Sequence, residues 1–126
     1  MGCSSETGMN SKENYIIAEL EVSKYEEDEE IEIINSYEHF AKEYPEKVVE
    51  GEEDNLNNET EIKDVTITMD GQAIIPFSYT YKFKQGKYLI KYYFHHLLTK
   101  TDYMFYNCFK LTKIDLTHFN SEKVNL

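Results

Sequence analysis

Alternating apolar and polar residues mark much of this chain as β-strand. The first strand is predicted at residues 15–22, where every second position is apolar: Ile16, Ala18, Leu20 and Val22. A period of two is typical of a strand that buries one face and leaves the other wet. The same pattern returns at residues 65–69, just before Asp70-Gly71, a dipeptide that strongly favours a two-residue hairpin turn.

Two aromatic runs around Gln85-Gly86 predict a second hairpin at the centre of the domain. The first run has Tyr79, Tyr81 and Phe83, and the second has Tyr88, Ile90, Tyr92 and Phe94. Facing aromatic residues on paired strands contribute up to about 1 kcal/mol per pair. We therefore expect Tyr79, Tyr81, Tyr88 and Tyr92 to fill the sheet rather than to form a contact surface. Either role stays open for Tyr93 and Tyr103.

One short helix is predicted between the strands. A brief strand at residues 31–34 leads to Ser36, which can cap a helix, and Pro45 ends it. The apolar positions within it, spaced as one helical stripe, are Tyr37, Phe40, Ala41 and Tyr44. Residues 46–61 carry many carboxylates and asparagines, so we expect a mobile acidic loop, with the Asn58-Glu59-Thr60 sequon an ordinary polar stretch.

Near the carboxyl end a run of short motifs has the form of one leucine-rich repeat unit. Its apolar positions follow the order Leu111-x-x-Ile114-x-Leu116-x-x-Phe119-Asn120, preceded by Met104-Phe105 and Asn107-Cys108. In such a unit a short strand turns Ile114 and Leu116 inward and Asp115 outward.

These motifs resemble the BspA-type leucine-rich repeat family of bacterial and protist proteins. Units of that family carry a Met-Phe, an Asn-Cys or Gly-Cys, a Leu-Thr, an Ile-Asp-Leu and a Phe-Asn in this order, and all five occur here. The resemblance covers residues from about 98 to 124, and residues 15–94 are similar to the capping region that precedes such repeats. The family stacks many units, whereas this chain shows a single one, and stable arrays need on the order of three.

The expected fold class is α+β, mainly β: a sandwich-like antiparallel β cap with one short helix, running into the first coil of a leucine-rich repeat solenoid. Residues 1–13 would be a disordered leader, 14–97 the cap with its mobile loop at 46–61, and 98–126 the repeat unit. The repeat core would consist of Met104, Phe105, Cys108, Leu111, Ile114, Leu116 and Phe119. The exposed strand face, formed by Lys113, Asp115 and Thr117, would contact a protein ligand, and the open end of the repeat would favour self-association.

Composition narrows the choice of partner and compartment. The 126 residues fit one domain, and 13 basic against 24 acidic residues give a net charge of −11, which opposes nucleic acid. Two cysteines do not make a disulfide framework, so a reducing, cytoplasmic setting is predicted. We find no apolar run of the roughly 20 residues that a membrane span needs and no secretory signal.

The amino terminus supports a second hypothesis, a lipid-anchored adaptor at the cytoplasmic face of a membrane. Gly2 followed by Cys3 is how doubly acylated cytosolic proteins begin, and two lipids together give stable anchoring. Glu6, however, stands where the acylation motif asks for serine or threonine. Membrane is therefore expected as a partner only if this terminus is acylated.

The sequence shows no pattern typical of catalysis. His95 and His96 are neighbours in a predicted strand and would point to opposite faces, so no metal site is expected there. Cys108 is expected to pack inward as a small apolar group. No paired acid and base, phosphate loop or serine nucleophile motif appears, so we predict no enzyme, no cofactor and no metal. The leading hypothesis is a non-catalytic protein-interaction module, and an enzyme that uses His95 or Cys108 is retained as the third hypothesis, after the lipid-anchored adaptor.

Overall fold

A computed structural model describes residues 13–51, 53–74 and 77–124 of the chain. Gly2 and Cys3 lie outside the described residues, as does all of the predicted leader except Glu13. The strands within these residues are β1 (Tyr15–Val22), β2 (Glu30–Glu32), β3 (Val65–Met69), β4 (Gln72–Ile74), β5 (Thr80–Lys82), β6 (Gly86–Phe94) and β7 (Leu111–Asp115). The helices are α1 (Tyr37–Glu43), α2 (Glu53–Leu56) and α3 (Glu59–Lys63), with 3-10 turns at Lys24–Glu26 and Pro45–Lys47.

Five strands form one antiparallel sheet in the order β4-β3-β6-β1-β7, and β2 pairs with β5 in a second, two-stranded sheet. The expected fold class, α+β and mainly β with antiparallel strands, is confirmed. Residues from both sheets share one hydrophobic core, among them Ile31 of β2, Leu20 of β1 and Tyr92 of β6. The five-stranded sheet therefore buries one face and leaves the other largely open to solvent.

The predicted solenoid coil is not seen in the part of the chain that the structure describes. β7 pairs antiparallel with β1 and completes the sheet of the cap, whereas coils of a solenoid stack on one another as repeats. Leu98 and Met104, from the segment assigned to the repeat, are buried in the same core as the cap. Residues 98–124 are thus integrated into one domain, because they fill the end of its core.

The alternation in the first strand is confirmed. In β1 the buried positions are Ile16, Ala18, Leu20 and Val22. The hairpin between β3 and β4 is also confirmed, and its turn residues Asp70 and Gly71 have φ angles of 49° and 89°. These positive angles are tolerated well by aspartate and glycine, which explains why this dipeptide specifies the turn.

The predicted aromatic hairpin around Gln85-Gly86 is wrong. β5 leaves its sequence neighbour and pairs with β2, placing Tyr81 opposite Ile31, while β6 lies between β1 and β3. Alternation determines which face of a strand is buried but does not determine its partner. The long apolar β6 takes the central place, and the ring of Phe83 still packs 5.0 Å from that of Tyr88.

The predicted helix is confirmed as α1. The hydroxyl oxygen of Ser36 accepts a hydrogen bond from the backbone N–H of His39 at 3.2 Å, and the helix ends two residues before Pro45. Tyr37 and Phe40 are its buried residues. The stripe is therefore packing, as expected.

The acidic segment at 46–61 differs from the mobile loop that was expected. It contains α2 and the start of α3, and Asn58 is only 3% exposed. The side-chain oxygen of Asn58 accepts from the N–H of Tyr37 at 2.9 Å, and its amide group donates to the carbonyl of Asp102 at 2.8 Å. A buried polar anchor of this kind orders the backbone around it.

Candidate functional site: an apolar groove at the free edge of β7

The strand β7 contains a bulge that brings its apolar residues to one side. Leu111 lies opposite Leu20 and Ile114 lies opposite Ala18, with a register shift between them. A spacing of three would place Leu111 and Ile114 on opposite faces of a regular strand. The extra residue, Thr112, restores both to the inner side, because a bulge inserts one residue into one strand of a pair.

An apolar groove lies beside β7, which is a terminal strand of the sheet. Ile114 is 39% exposed and Leu116 is 55% exposed, a high fraction for large aliphatic side chains. The groove has a volume of about 360 Å³, and we call it the edge groove. It is lined by Thr101, Met104, Phe105, Ile114, Leu116 and Phe119.

The floor and walls of the edge groove are held by contacts with the sheet. The ring of Phe105 packs edge-on against Tyr92 at 5.5 Å, and Phe119 packs edge-on against Phe94 at 5.7 Å. Met104 is 6% exposed, and its carbonyl accepts a hydrogen bond from the backbone N–H of Asn35 at 2.6 Å. The groove is thus a preformed feature of the domain.

After β7, the chain turns back and contacts the residues at the start of β1. The carbonyl of His118 accepts from the N–H of Tyr15 at 3.2 Å, and the N–H of Asn120 donates to the side-chain oxygen of Asn14 at 2.7 Å. The rings of Tyr15 and His118 stack at 4.7 Å. These contacts fix the wall of the groove that Phe119 forms.

Cys108 is close in sequence to the residues that line the edge groove, but its thiol is not activated as a nucleophile. It is 8% exposed, and burial raises the pKa of its thiol well above the usual range. A thiol in that state is almost entirely protonated at neutral pH and is a poor nucleophile. Its neighbour Phe109, in contrast, is 81% exposed.

Two of the three residues predicted to contact a ligand, Lys113 and Asp115, lie on the side of β7 away from the edge groove, and Thr117 follows the end of the strand. Lys113 and Asp115 lie opposite Glu19 and Ile17, on the open face of the sheet. The carboxylate of Asp115 accepts hydrogen bonds from the hydroxyl and the N–H of Thr117, and these bonds lower its pKa. Asp115 is therefore engaged in the turn that ends β7, while Lys113 and Thr117 are exposed.

The two adjacent histidines have different partners. His95 shares a hydrogen bond of 2.6 Å with the hydroxyl of Thr66, and Nδ1 of His96 lies 2.7 Å from a carboxylate oxygen of Asp64. They do not form a common set of metal ligands within the described residues.

Sequence reasoning missed a different cluster, formed by Glu32, His39 and Glu43. The signal available in the sequence was the spacing of His39 and Glu43, four residues apart within one helix, which places them on the same face. Glu32 comes from a strand, and its approach depends on the tertiary fold.

Comparison of the chain with protein-family models, curated proteins and solved structures gives no match. The resemblance to the BspA-type family therefore stays a prediction. Among the described residues, no helix is long and apolar enough to cross a membrane. The alternative function through Gly2 and Cys3 also stays a prediction, which membrane fractionation of wild type and Gly2→Ala would test.

Proposed function

We propose that this chain is a non-catalytic protein-interaction module that binds an extended, apolar polypeptide segment in the edge groove. The observation that supports this most directly is the exposure of Ile114 and Leu116 beside a terminal strand. Apolar surface of this kind marks interaction sites when it is contiguous and rimmed by polar residues.

The edge of β7 offers a second means of binding. A terminal strand presents main-chain N–H and C=O groups on its outer side, and a docking segment can pair with them as an added strand. The main-chain bonds would supply affinity, and the edge groove would select apolar side chains at alternate positions. Both elements are adjacent here, which favours a strand over a helix as the occupant.

We assign the occupant as a leucine-rich coil, the segment that the repeat resemblance implies. Such a coil carries a short strand with apolar residues on one side, as residues 111–119 do in this chain. Another protein with the same motif would supply it, and a second copy of this protein could offer only the free outer edge of its own β7, because its inner edge is paired with β1.

The test uses a fluorescent peptide with the sequence of residues 104–120, in which Cys108 is replaced by serine. Fluorescence anisotropy is expected to show saturable binding to the wild-type chain. Leu116→Glu is expected to weaken binding at least about tenfold, because burying a leucine contributes roughly 1.5–3 kcal/mol. Light scattering across a concentration series would report self-association through the same groove.

Val49→Glu is the matched control. Val49 is 64% exposed, lies outside the helices and strands and does not line the edge groove, so a glutamate is tolerated there. The change alters the net charge by the same amount as Leu116→Glu. Absence of peptide binding to the wild type, or equal weakening by both variants, would contradict the proposal.

A further inference from the structure

Three side chains of the type that bind metals meet where β2 approaches α1. Glu32 is the last residue of β2, and His39 and Glu43 lie one turn apart in α1. Nδ1 of His39 lies 3.3 Å from Oε2 of Glu32 and 3.7 Å from Oε1 of Glu43. The three ligand atoms all lie within 4.8 Å of one another.

These separations fit a common metal ion. Zinc binds imidazole nitrogen and carboxylate oxygen at about 2.0–2.2 Å, and tetrahedral coordination at that bond length separates neighbouring ligand atoms by roughly 3.3–3.5 Å. The two distances measured from His39 bracket this range. Small rotamer adjustments of Glu43, which is 43% exposed, would bring the third ligand to the same separation.

Glu32 provides an independent reason to expect a cation. Its side chain is 12% exposed, and its Oε2 is buried and accepts no hydrogen bond from the described residues. A positive charge between this buried carboxylate oxygen and the carboxylate of Glu43 would stabilise both.

His39 is held in place for this role. Its ring stacks on Tyr79 at 4.1 Å with an interplanar angle of 19°, which fixes the plane of the imidazole. Nδ1 also lies 2.9 Å from the side-chain oxygen of Asn35, and the tautomer with a proton on Nδ1 donates to that oxygen. A metal ion on Nδ1 takes the place of this proton, while the oxygen of Asn35 keeps the hydrogen bond that it accepts from the N–H of Ser36.

The two carboxylates of the cluster are accessible from solvent, and the side chain of His39 is 23% exposed. Glu32 and Glu43 both line a surface depression of about 390 Å³, which Lys110, paired with Glu26, also lines. An ion can therefore enter without opening the fold, and water from the depression can complete its coordination.

We propose that Glu32, His39 and Glu43 form a site for a divalent transition metal, with Zn²⁺ as the ion of best fit. One neutral imidazole and two carboxylates balance the charge of the ion, and mixed nitrogen and oxygen ligands favour zinc over calcium or magnesium. The ligating nitrogen must carry no proton, so the neutral imidazole binds in the tautomer with its proton on Nε2. This site is independent of the edge groove.

Isothermal titration of the full chain with Zn²⁺ tests the proposal, in a Cys3→Ser background that removes a competing thiol. One saturable site is expected, and Glu43→Gln and His39→Gln are each expected to weaken it at least about tenfold. Glu43 is partly exposed, so its amide variant keeps the fold. His96→Gln is the control, because His96 also lies beside a carboxylate, that of Asp64 at 2.7 Å, and is expected to leave the affinity unchanged.

Two results would overturn the assignment. The first is the absence of saturable Zn²⁺ binding below about 1 mM, which would leave the cluster as contacts among the three side chains alone. The second is an affinity that Glu43→Gln leaves unchanged or that His96→Gln removes, because the metal would then be bound elsewhere.

Discussion

Replacing Asn58 by alanine tests whether the acidic segment is held by a buried anchor. The side chain of Asn58 bridges two parts of the domain that are far apart in sequence. Its oxygen accepts from the N–H of Tyr37 at 2.9 Å, and its amide donates to the carbonyls of Asp102 at 2.8 Å and Lys100 at 3.4 Å. The segment after Asp102 leads directly into the edge groove, so this anchor also supports the groove.

The size of the effect follows from these contacts. Two of the three hydrogen bonds have good distances, and each contributes about 0.5–1.5 kcal/mol net. Truncation also takes a hydrogen-bond partner from buried main-chain groups, which adds to the cost. We therefore expect Asn58→Ala to lower the free energy of unfolding by about 2–4 kcal/mol, a large share of the roughly 5–15 kcal/mol typical of a domain.

Urea unfolding followed by far-ultraviolet circular dichroism measures this loss. Asn57→Ala is the control, because Asn57 is an exposed neighbour and its change should stay within about 0.5 kcal/mol. A loss below about 1 kcal/mol for Asn58→Ala would refute the anchor, since a mobile loop is insensitive to this truncation.

The variant Asn58→Asp tests the role of the amide donor separately, through the pH dependence of stability. Aspartate keeps the acceptor for Tyr37 but turns a carboxylate oxygen towards two carbonyls, which raises its pKa in the folded state. The electrostatic penalty is then present at neutral pH and absent below the unfolded pKa, about 3.9, where the group is neutral in both states. A penalty that does not change with pH would contradict this geometry.

Two further predictions concern the core and the end of β7. Tyr92→Phe removes a buried hydroxyl that donates to the carbonyl of Ile33 at 2.6 Å, so urea unfolding should show a loss of about 1–2 kcal/mol, and an unchanged midpoint would contradict it. Asp115→Asn should lower the melting temperature at neutral pH, because hydrogen bonds from Thr117 lower the folded pKa of the carboxyl group. That difference is present above the usual aspartate pKa and lost as pH falls through the lowered value, and a difference independent of pH would refute the role of the carboxylate.

The parts of the fold that local chemistry specifies could be predicted from the sequence. The period of two in β1 fixed its buried face, and Asp70-Gly71 specified a turn because both residues tolerate positive φ. Ser36 and Pro45 bounded α1 for equally local reasons, a cap at one end and a missing N–H at the other.

Features that depend on distant partners could not be predicted in the same way. The aromatic runs indicated which residues of β5 and β6 are buried, yet β5 pairs with β2, some fifty residues earlier in the chain. Glu32 reaches the helix that carries His39 through the same pairing, so the proposed metal site depends on a strand order that alternation does not encode. The burial of Asn58 could not be predicted, because its sequence neighbours are acidic and indicate an exposed loop. Its burial depends on contacts with residues 37, 100 and 102.

The bulge in β7 limits how a partner could use the free edge. Thr112 interrupts the regular ladder in the first half of the strand, and Lys113 adds a charge on the open face, both of which discourage unselective pairing at an edge. The regular part, Lys113 to Asp115, lies beside the apolar side chains that line the edge groove. A docking strand would therefore pair along only a few residues, and its affinity would depend on the side chains that enter the groove. Leu116 follows the last paired residue of β7, so its replacement changes the groove without changing the strand pairing. It should therefore distinguish specific docking from non-specific association at the sheet edge.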